Sequence, residues 1–488
     1  MRIRPDMTPV PARGSVLIIV LWVAFGLVSI ALYFAHSMSM ELRASDNRLA
    51  GLEANQAVEG AARYAAYILA HVEEPGVLPD PMTYQSDNVP VGEATFWFIG
   101  RDTNSLQISP TEPVFGLVDE ASKLNLNTVP AEMLEALPRM TPELAAAIVD
   151  WRDSDSTVSS GGAEDETYLR LNPPYRCKNG PFESVDELRL VHGMNLEILY
   201  GEDANQNGVL DPNENDGEVS LPYDNRDGRL DPGLAEYVTI YSREPNTRAS
   251  GEPRFNISTG IDEQLFAVIE ERLGPSRAND IRDLINGVAP GGGGPEGGQG
   301  PGGQGGGQNQ GGGGQTNGVP QGGAGVSYSS LLDFFADSGM TPDEFARIEG
   351  ELTVSDGAFI EGRINVNTAS EAVLACIPGI GPDRAPTLVS HRQSNESQLP
   401  TIGWVYEALD RNRELAVQVG PYITSRSFQY TADIAATGHH GRGYRRKRFV
   451  LDTSETTPRI LYRQDLTRLG WALGSGIREE LLLAGNLP

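Results

Sequence analysis

Residues 15–34 read SVLIIVLWVAFGLVSIALYF, an apolar stretch that no charged side chain interrupts. A helix of about 20 apolar residues is long enough to cross the hydrocarbon core of a bilayer. Arg2, Arg4 and Arg13 precede this stretch, and positive flanking charge favours the cytoplasmic side of a membrane. The sequence therefore predicts one transmembrane helix, with the N-terminus in the cytoplasm and most of the chain on the other side.

A glycine stands directly before the apolar stretch. A secretory signal peptide, the obvious alternative, has a shorter apolar region with a small-residue cleavage site after it. The junction here instead resembles the leader of type IV prepilins, which a dedicated peptidase cuts after the glycine while the helix is kept. By that resemblance residues 1–14 are a leader, cleavage falls between Gly14 and Ser15, and prepilin peptidase is a partner. A plain membrane anchor followed by a linker is the other alternative.

Apolar residues continue past the membrane at spacings of three and four, with polar residues between them. This periodicity predicts one long helix that is apolar at first and amphipathic later. The positions are Met40, Leu42, Leu49, Leu52, Ala57, Ala61, Tyr64, Ile68 and Leu69. Such a helix resembles the spine of a pilin, although pilins usually carry Glu as the fifth mature residue and this chain has Ile19 there.

The rest of the chain alternates between strand-like and helical patterns. Runs rich in aromatic and β-branched residues predict strands; they lie at 94–99, 113–118, 237–241, 427–432, 448–451 and 459–462. Residues from about 123 to 415 are otherwise helical in pattern, apart from 288–326, which is almost entirely Gly, Gln, Pro and Asn and predicts a flexible linker. The order predicts an α+β protein: a long helix with a small antiparallel sheet, and a large helical domain inserted between its strands.

The helical part contains an internal repeat. Residues 124–152 align without gaps with residues 364–392, so that LNLNT at 124–128 matches INVNT at 364–368, and a weaker third copy starts at Asn256. Each copy predicts an extended turn, a helix, a tight turn and a second helix, with the Asn-x-Asn-Thr segment as N-cap. The unit resembles a helix-hairpin-helix, or SAM-like, module. Such modules often bind DNA through a Gly-x-Gly turn, and here only Gly379-Ile380-Gly381 provides one.

Composition opposes nucleic-acid binding and offers no catalytic motif. The net charge is −28 with a pI near 4.6, whereas phosphate contacts need clustered Lys and Arg. The six histidines form no zinc pattern, and no Walker loop or Gly-x-Ser-x-Gly elbow occurs. Two cysteines, Cys177 and Cys376, are too few for a disulfide framework. We therefore expect a protein that acts by assembly with partners and is not an enzyme.

Residues 203–214, DANQNGVLDPNE, match a calcium-binding loop at every expected position. Carboxylate, amide and carbonyl oxygens are hard ligands that suit Ca²⁺ better than Zn²⁺. Gly208 would provide the sharp turn. The predicted ligands are Asp203, Asn205, Asn207, the carbonyl of Val209, Asp211 and Glu214.

A second acidic cluster follows this loop with less regular spacing. It consists of Asp224, Asn225, Asp227 and Asp231, with Gly228 among them. Two interpretations remain open from the sequence: a second Ca²⁺ site, or a solvated loop in which Asp, Asn and Gly serve only as turn formers.

Taken together, these parts resemble the minor pseudopilin K family of type II secretion. The resemblance implies a pilin-like domain with an inserted helical domain, calcium binding in the latter, and no glutamate at the position of Ile19. It also implies the following segments: leader 1–14, transmembrane helix 15–34, spine and first strands 35–122, first helical module with the calcium loop 123–287, linker 288–326, second helical module 327–420, and C-terminal strands 421–488.

The resemblance further implies a role in protein export. Members of this family cap the tip of a periplasmic pseudopilus and bind the minor pseudopilins I and J, with H nearby. The expected location is the bacterial inner membrane, with most of the chain in the periplasm. Two alternatives are a membrane-anchored helix-hairpin-helix protein of DNA uptake and a calcium-dependent adhesin or enzyme domain on an ordinary anchor.

Overall fold

The structure of the chain is a computed structural model, which describes residues 15–102, 112–259, 262–285, 327–395, 399, 401–455 and 457–483. The predicted leader and Gly14 lie outside the described residues, and so does the Gly-rich segment 288–326. The predictions made for them therefore stay predictions.

Helices dominate the described part of the chain. The α-helices are α1 (Ser15–Ala70), α2 (Ala131–Glu135), α3 (Pro142–Arg152), α4 (Asp165–Tyr168), α5 (Leu196–Tyr200), α6 (Glu263–Leu273), α7 (Pro275–Ile285), α8 (Leu331–Ser338), α9 (Pro342–Ala346), α10 (Glu371–Ala375), α11 (Gly381–Ser394), α12 (Gly403–Ala408), α13 (Arg413–Val419) and α14 (Gly474–Leu483). The strands are β1 (Val89–Val91), β2 (Ala94–Ile99), β3 (Val118–Asp119), β4 (Leu124–Asn125), β5 (Val238–Thr239), β6 (Arg243–Pro245), β7 (Phe255–Asn256), β8 (Leu352–Thr353), β9 (Phe359–Glu361), β10 (Ile364–Asn365), β11 (Ile423–Thr424), β12 (Gln429–Thr437), β13 (Arg445–Asp452) and β14 (Arg459–Asp465).

The predicted long helix is α1, which runs unbroken for 56 residues, a length of about 84 Å. Residues 16–49 are exposed except for the half-buried Asp46, and Ala50 is the first buried residue. The predicted amphipathic stripe is therefore wrong in its first part, because Met40, Leu42, Leu49 and Leu52 are all more than half exposed. Small side chains instead form the buried face, because alanine lets the helix axis approach a sheet closely; they include Ala54, Ala57, Ala61 and Ala65.

An antiparallel sheet packs against this alanine face. Its strand order is β1-β2-β12-β13-β14, with β3 also pairing with β12. Strand β2 pairs antiparallel with β12, so that Phe98 lies opposite Ile434, although more than 300 residues of sequence separate the two strands. Phe96, Phe98, Ala432 and Ile434 form the core with α1. The predicted combination of a long apolar helix and an antiparallel sheet is confirmed.

The three repeat copies form three similar units. Each begins with a two-residue parallel strand pair, namely β4 with β5, β7 with β8, and β10 with β11. A helix pair follows each of the strands β4, β7 and β10: α2 and α3, α6 and α7, α10 and α11. The structure therefore contains the predicted helix pairs, while their assignment as SAM-like modules stays a prediction.

The predicted N-cap role of the Asn-x-Asn-Thr segment is wrong. Asn125 instead accepts the main-chain amide of Asn127 at 2.9 Å, and Asn127 exchanges hydrogen bonds with the main chain of Phe182. The cap position of α2 is Pro130, which makes no side-chain cap. Asn125 closes a local turn because its short amide side chain can bond a nearby main-chain group, whereas Asn127 joins this turn to the segment at Phe182.

An arginine completes the turn in the first and second copies. Arg152 donates to the carbonyls of Leu126 and Val129, and Arg392 donates to those of Val366 and Ala369 at 3.0 and 2.6 Å. Both arginines lie in the last turn of the second helix of their unit. The matching of Arg152 with Arg392 in the sequence alignment therefore has a structural reason: each satisfies two carbonyls that would otherwise be buried without a donor.

Both predicted helical modules share one hydrophobic core. It extends from Leu124 in β4 to Ile423 in β11 and includes Ile281 of α7 and Phe334 of α8. Helix α7 packs directly on α8, although the Gly-rich segment lies between them in sequence. The helical part thus forms one body on the side of the sheet opposite α1, where Trp97 and Ile99 also pack against Leu473.

Candidate metal site

The loop 203–214 begins three residues after α5 and ends in a 3-10 turn, Pro212–Glu214. Polar loops of this kind are usually solvated, but most of this one is buried. The buried members of the predicted ligand set are Asp203, Asn205, Asn207, Val209 and Glu214, each at most 8% exposed. The structure therefore places the predicted ligands away from bulk water.

Main-chain amides order the two terminal carboxylates of the loop. Asp203 accepts the amides of Asn207 at 3.0 Å and Gly208 at 2.9 Å. Glu214 accepts the amide of Ala204 at 2.9 Å with one oxygen and that of Asp211 at 3.1 Å with the other. Gly208 has φ +73°, so the predicted sharp turn is present at this residue.

The side chains between these carboxylates converge on Asp211. The amide nitrogens of Asn205 and Asn207 lie 2.7 and 3.0 Å from the same Asp211 carboxylate oxygen. The Asn207 amide oxygen accepts the amide of Val209 at 2.8 Å. The structure therefore brings together the four carboxylate and amide side chains at loop positions 1, 3, 5 and 9 together with Glu214 at position 12.

Burial of these carboxylates leaves negative charge poorly solvated. Burial and the neighbouring Asp203 raise the pKa of Glu214 to about 8. Burial also raises the pKa of Asp203, which the Arg101 guanidinium opposes. A divalent cation would relieve this cost, because a buried charge is tolerated when it is paired or coordinates a metal. The donor set, oxygen throughout, fits Ca²⁺.

Two arginines attach the loop to the sheet. Arg446 in β13 donates to the carbonyls of Asn205 and Gln206, the latter at 2.7 Å. Arg101, two residues after β2, donates to the carbonyls of Gln206 at 2.9 Å and Asn207 at 3.2 Å. Sequence reasoning missed both residues, because about 100 and 240 positions separate them from the loop.

Buried ion pairs hold these arginines in place. Asp433 in β12 lies 2.8 Å from Arg446 and 2.9 Å from Arg448, and these guanidinium groups lower its pKa to about 2 despite its burial. Arg101 pairs with Glu236 at 2.8 Å. The sheet face opposite α1 is thus a charged surface that receives the loop, unlike the apolar face under α1.

The second predicted cluster does not converge. Asp224 accepts the amides of Asp216 and Gly217, and Asp227 accepts the amide of Arg229 in its own turn. Asn225 and Asp227 are exposed, whereas Asp231 lies 3.8 Å from Arg139. The geometry of these residues is that of a chain of Asx turns.

A third acidic group, which sequence reasoning did not identify, lies between α3 and α4. Asp150 is fully buried, Glu164 is 2% exposed, and neither Glu164 carboxylate oxygen nor one of Asp153 accepts an N–H or O–H hydrogen bond. Burial and the carboxylates of Asp150 and Asp153 raise the pKa of Glu164. The Asp-x-x-Asp spacing at 150–153 and the Gly-Ala-Glu-Asp run at 162–165 were the available signals.

The acidic groups are not preformed metal sites. Within the described ranges, no three Asp, Glu, His or Cys side chains are arranged so that they could hold one ion. Metal binding at 203–214 or at the third group would therefore require side chains to turn towards a shared ion. Both cysteines are free and buried, and burial raises the pKa values of Cys177 and Cys376 to about 11 and 12, as expected of inert thiols.

One glycine of the Gly-x-Gly turn in the second repeat copy packs against another helix. A Cβ atom at Gly379 would lie 3.2 Å from side-chain atoms of Gln418 and Val419, the end of α13, whereas Gly381 faces open space. The matching residue of the first copy, Arg139, adopts φ +62° and lies 3.8 Å from both Glu197 and Asp231.

One helix of the described residues, α1, is long and apolar enough to cross a membrane by length and composition. Ser15, the residue that follows the predicted cleavage point, is the first residue of this helix. The apolar N-terminal half of the helix packs against none of the other residues that the structure describes. The structure thus gives the predicted transmembrane segment a free surface along its whole length.

Comparison with known proteins places these features in a family. Residues 122–200, which include α2, α3 and the third acidic group, match the family model described as type II secretion system (T2SS), protein K. The type II secretion system protein K of Pectobacterium carotovorum subsp. carotovorum is 27% identical over 201 residues, 38% of this chain and 60% of the relative. The protein of that name from Aeromonas hydrophila is 30% identical over 198 residues, again 38% and 60%.

The matched part of the chain thus spans about 60% of the length of these curated relatives. A solved structure, titled the GspK-GspI-GspJ complex from the enterotoxigenic Escherichia coli type 2 secretion system, aligns with 87% of this chain and 99% of that chain, at 11% identity and a TM-score of 0.40. By the family model and these two relatives, the chain is similar to the type II secretion system protein K family.

Proposed function

We propose that this chain is a minor pseudopilin that caps the tip of the type II secretion pseudopilus and takes part in protein export across the outer membrane. The observation that carries the proposal is the division of α1: its exposed N-terminal half stands free of a large folded body, which forms around the second half. A bulky body leaves little room for neighbouring subunits on both sides of it. An uncovered apolar helix joined to such a body therefore suits the end of a helical bundle, where neighbours lie on one side.

The apolar side chain of Ile19 supports a place at the end of the pseudopilus. Most pilins carry a glutamate there, and an unpaired carboxylate inside a membrane is costly. A subunit that starts or ends the assembly lacks one neighbour, so an apolar residue avoids this cost. Prepilin peptidase would cut between Gly14 and Ser15, and the mature chain would stay in the inner membrane with its body in the periplasm.

The partners that fit this function are the minor pseudopilins I and J, with H nearby. The solved relative is a complex of GspK with GspI and GspJ by its title. The exposed apolar residues of α1 beyond the membrane give a surface for such helices. These residues are Met38, Met40, Leu42, Leu49 and Leu52, each more than half exposed. Helix packing would bury them.

The test is co-expression of the full chain with the I and J subunits of the same organism, followed by size-exclusion chromatography in detergent. Leu42→Asp with Leu49→Asp changes the exposed part of α1, while Met82→Asp places the same charge on a 91% exposed side chain outside α1. We expect a ternary complex with the wild type and with Met82→Asp, and none with the α1 variant. No complex with the folded wild-type chain, or an unaffected α1 variant, would contradict the proposal.

We further propose that the body binds Ca²⁺. The first candidate is the loop 203–214, with Asp203, Asn205, Asn207, the Val209 carbonyl, Asp211 and Glu214 as ligands. The group formed by Asp150, Asp153 and Glu164 is a second candidate, because both Glu164 carboxylate oxygens and one of Asp153 are buried without an N–H or O–H donor. The bound ion would supply positive charge that fixes an acidic loop against its neighbours. The chain's own arginines position the first loop.

Isothermal titration of the EDTA-treated full chain with Ca²⁺ tests this second proposal. We expect one site to be lost in Asp203→Asn and another in Glu164→Gln. Asp227→Asn, in the exposed second cluster, serves as the matched control and should leave binding unchanged. No heat of binding in the folded wild type would contradict calcium binding as a whole, and loss in only one variant would leave one of the two sites.

A further inference from the structure

The turn between β12 and β13 packs against α1 where that helix leaves the body. This turn, residues 438–443, is called the hairpin tip here. A Cβ atom at Gly438 would lie 2.2 Å from the Ala50 carbonyl oxygen, and one at Gly443 would lie 2.3 Å from the Gly51 amide nitrogen. The main chain of the hairpin tip therefore contacts the main chain of α1 directly, at its first buried residue.

His439 contacts α1 on both sides of this point, so that the contact spans two helical turns, from Asp46 to Glu53. Its Nδ1 lies 2.6 Å from a Glu53 carboxylate oxygen, and its Nε2 lies 3.0 Å from an Asp46 carboxylate oxygen. The main-chain amide of His439 also donates to Glu53 at 3.0 Å. Ionised carboxylates only accept hydrogen bonds, so both ring nitrogens can bond at once only when both carry hydrogen, that is, when the imidazole is protonated.

The other charged groups around His439 come from two elements. The carboxylate of Asp46 also accepts a hydrogen bond from Arg442 of the hairpin tip, and the Arg445 guanidinium lies against Gly51. The His440 ring stands 5.4 Å from that of His439. Strand β2, which packs on the same turn, has no titratable side chain between Ala94 and Ile99. Arg442 bonds Asp46 and not Glu53, so the cationic group that faces Glu53 is the His439 ring.

We propose that His439, Asp46 and Glu53 form a protonation-dependent contact that fixes the emerging part of α1 to the hairpin tip. We call it the neck contact. When His439 is protonated, residues 46–53 are held against the body. When it is neutral, one ring nitrogen has no hydrogen to donate, one carboxylate loses its hydrogen bond to the ring, and this segment moves more freely relative to the sheet. Acidity would thereby set how rigidly the body stands on its helix.

The directions of the pKa shifts of His439, Glu53 and Asp46 agree with this proposal. Hydrogen bonds to Glu53 and Asp46 raise the pKa of His439, and those from His439 lower the pKa values of both acids. A histidine whose folded pKa is raised adds stability that is fully present below its unfolded pKa, about 6.5, and is lost as pH rises through the folded value. The neck contact should therefore weaken on the alkaline side of pH 6.5.

Amide hydrogen exchange of the full chain in detergent micelles, read by mass spectrometry, tests this inference. We expect peptides covering 46–53 to exchange roughly two- to tenfold faster at pH 8.5 than at pH 6, after correction for intrinsic rates, as for a partly exposed ion pair. His439→Gln should show the faster exchange at both pH values. His71→Gln is the matched control, because His71 directly follows α1 and its Nδ1 lies 2.8 Å from the Tyr67 carbonyl oxygen; it should behave as the wild type.

A second measurement covers the case in which His439→Gln does not fold. Ring-carbon NMR of the full chain labelled at histidine should show His439 titrating above the ordinary histidine pKa of about 6.5, and Glu53→Gln should move that titration back towards the ordinary value. A titration that Glu53→Gln leaves unchanged would overturn the inference. So would exchange of residues 46–53 with the same pH response in the wild type and in His439→Gln.

Discussion

The loop at residues 203–214 and the acidic group between α3 and α4 both contain buried carboxylates, but these differ in their hydrogen-bond donors. In the loop, main-chain amides bond the carboxylates of Asp203 and Glu214, and Arg101 and Arg446 bond the loop carbonyls. In the acidic group, Glu164 is buried without an N–H or O–H donor. The loop matches a known motif, yet the carboxylate with fewer hydrogen-bond donors is that of Glu164, which lies outside the motif.

This difference teaches where each region obtains its positive charge. The loop receives part of its charge from the sheet, because arginines of the ion-paired network around Asp433 reach into it. Arg152, which precedes Asp153 of the acidic group in sequence, turns its guanidinium to the carbonyls of Leu126 and Val129 instead. We therefore expect the loop to depend mainly on its arginines, and the acidic group to depend mainly on a bound ion.

The largest expected effect comes from removing the loop's arginine. Arg446→Ala should lower the free energy of unfolding by about 3 kcal/mol or more, because it leaves the fully buried Asp433 with one arginine and takes the arginine donor from the Asn205 carbonyl. Denaturant unfolding of the full chain measures this. Arg468→Ala removes an exposed arginine of the same region and should change stability by less than about 0.5 kcal/mol. Equal effects of the two changes would break the comparison.

The next effect is a pH dependence at Glu214. Its pKa in the folded chain, about 8, lies above the ordinary value, so this group costs stability as pH rises from about 4.5 towards 8 in metal-free protein. We expect Glu214→Gln to remove a loss of roughly 2 kcal/mol over that range, measured by thermal unfolding in EDTA. Glu218→Gln, at an exposed neighbour, should leave the slope unchanged. Calcium should flatten the wild-type slope, since the ion favours the charged carboxylate.

A smaller effect, with a change of sign, is expected at Glu164. In EDTA, Glu164→Gln should stabilise the chain by about 1 kcal/mol, because it removes repulsion from Asp150 and Asp153. In calcium the same variant should be less stable than the wild type, because a ligand is missing. Glu166→Gln is the matched control: this residue is exposed and pairs only with Arg170. A stabilising effect that persists in calcium would argue against a metal at this group.

The smallest effect is expected in the second predicted cluster. Asp227→Asn should leave calcium binding unchanged and shift the free energy of unfolding by less than about 0.5 kcal/mol, because the carboxylate is exposed and bonds only within its own turn. Thermal unfolding with and without calcium checks this. A calcium-dependent loss of stability here would show that the cluster converges on an ion after all.

Patterns confined to neighbouring residues could be predicted from the sequence. The apolar run at 15–34 belongs to one unbroken helix, the aromatic run at 94–99 is β2, and Gly208 makes the turn expected of it. The repeat at 124–152 and 364–392 forms matching helix pairs. These features depend on periodicity, on turn chemistry and on side chains that bond within a few positions, so local sequence is sufficient for them.

Features that depend on distant residues could not be predicted in this way. The exposed side of α1 and the alanine face that begins at Ala50 follow from where the sheet lies, and the sequence pattern placed the stripe too early. The attachment of the calcium-type loop to Arg446, the isolation of Glu164 and the contact of His439 with Asp46 all join segments far apart in the chain.

The sequence by itself determined the long apolar helix, the existence of the sheet and of the helical repeats, and the oxygen-rich character of the loop. Only the tertiary structure decided which of its charges are neutralised and which are buried alone. The reason is physical: the stability of a charge depends on all groups within several ångströms of it and on how much water remains there, and the packing of distant elements sets both.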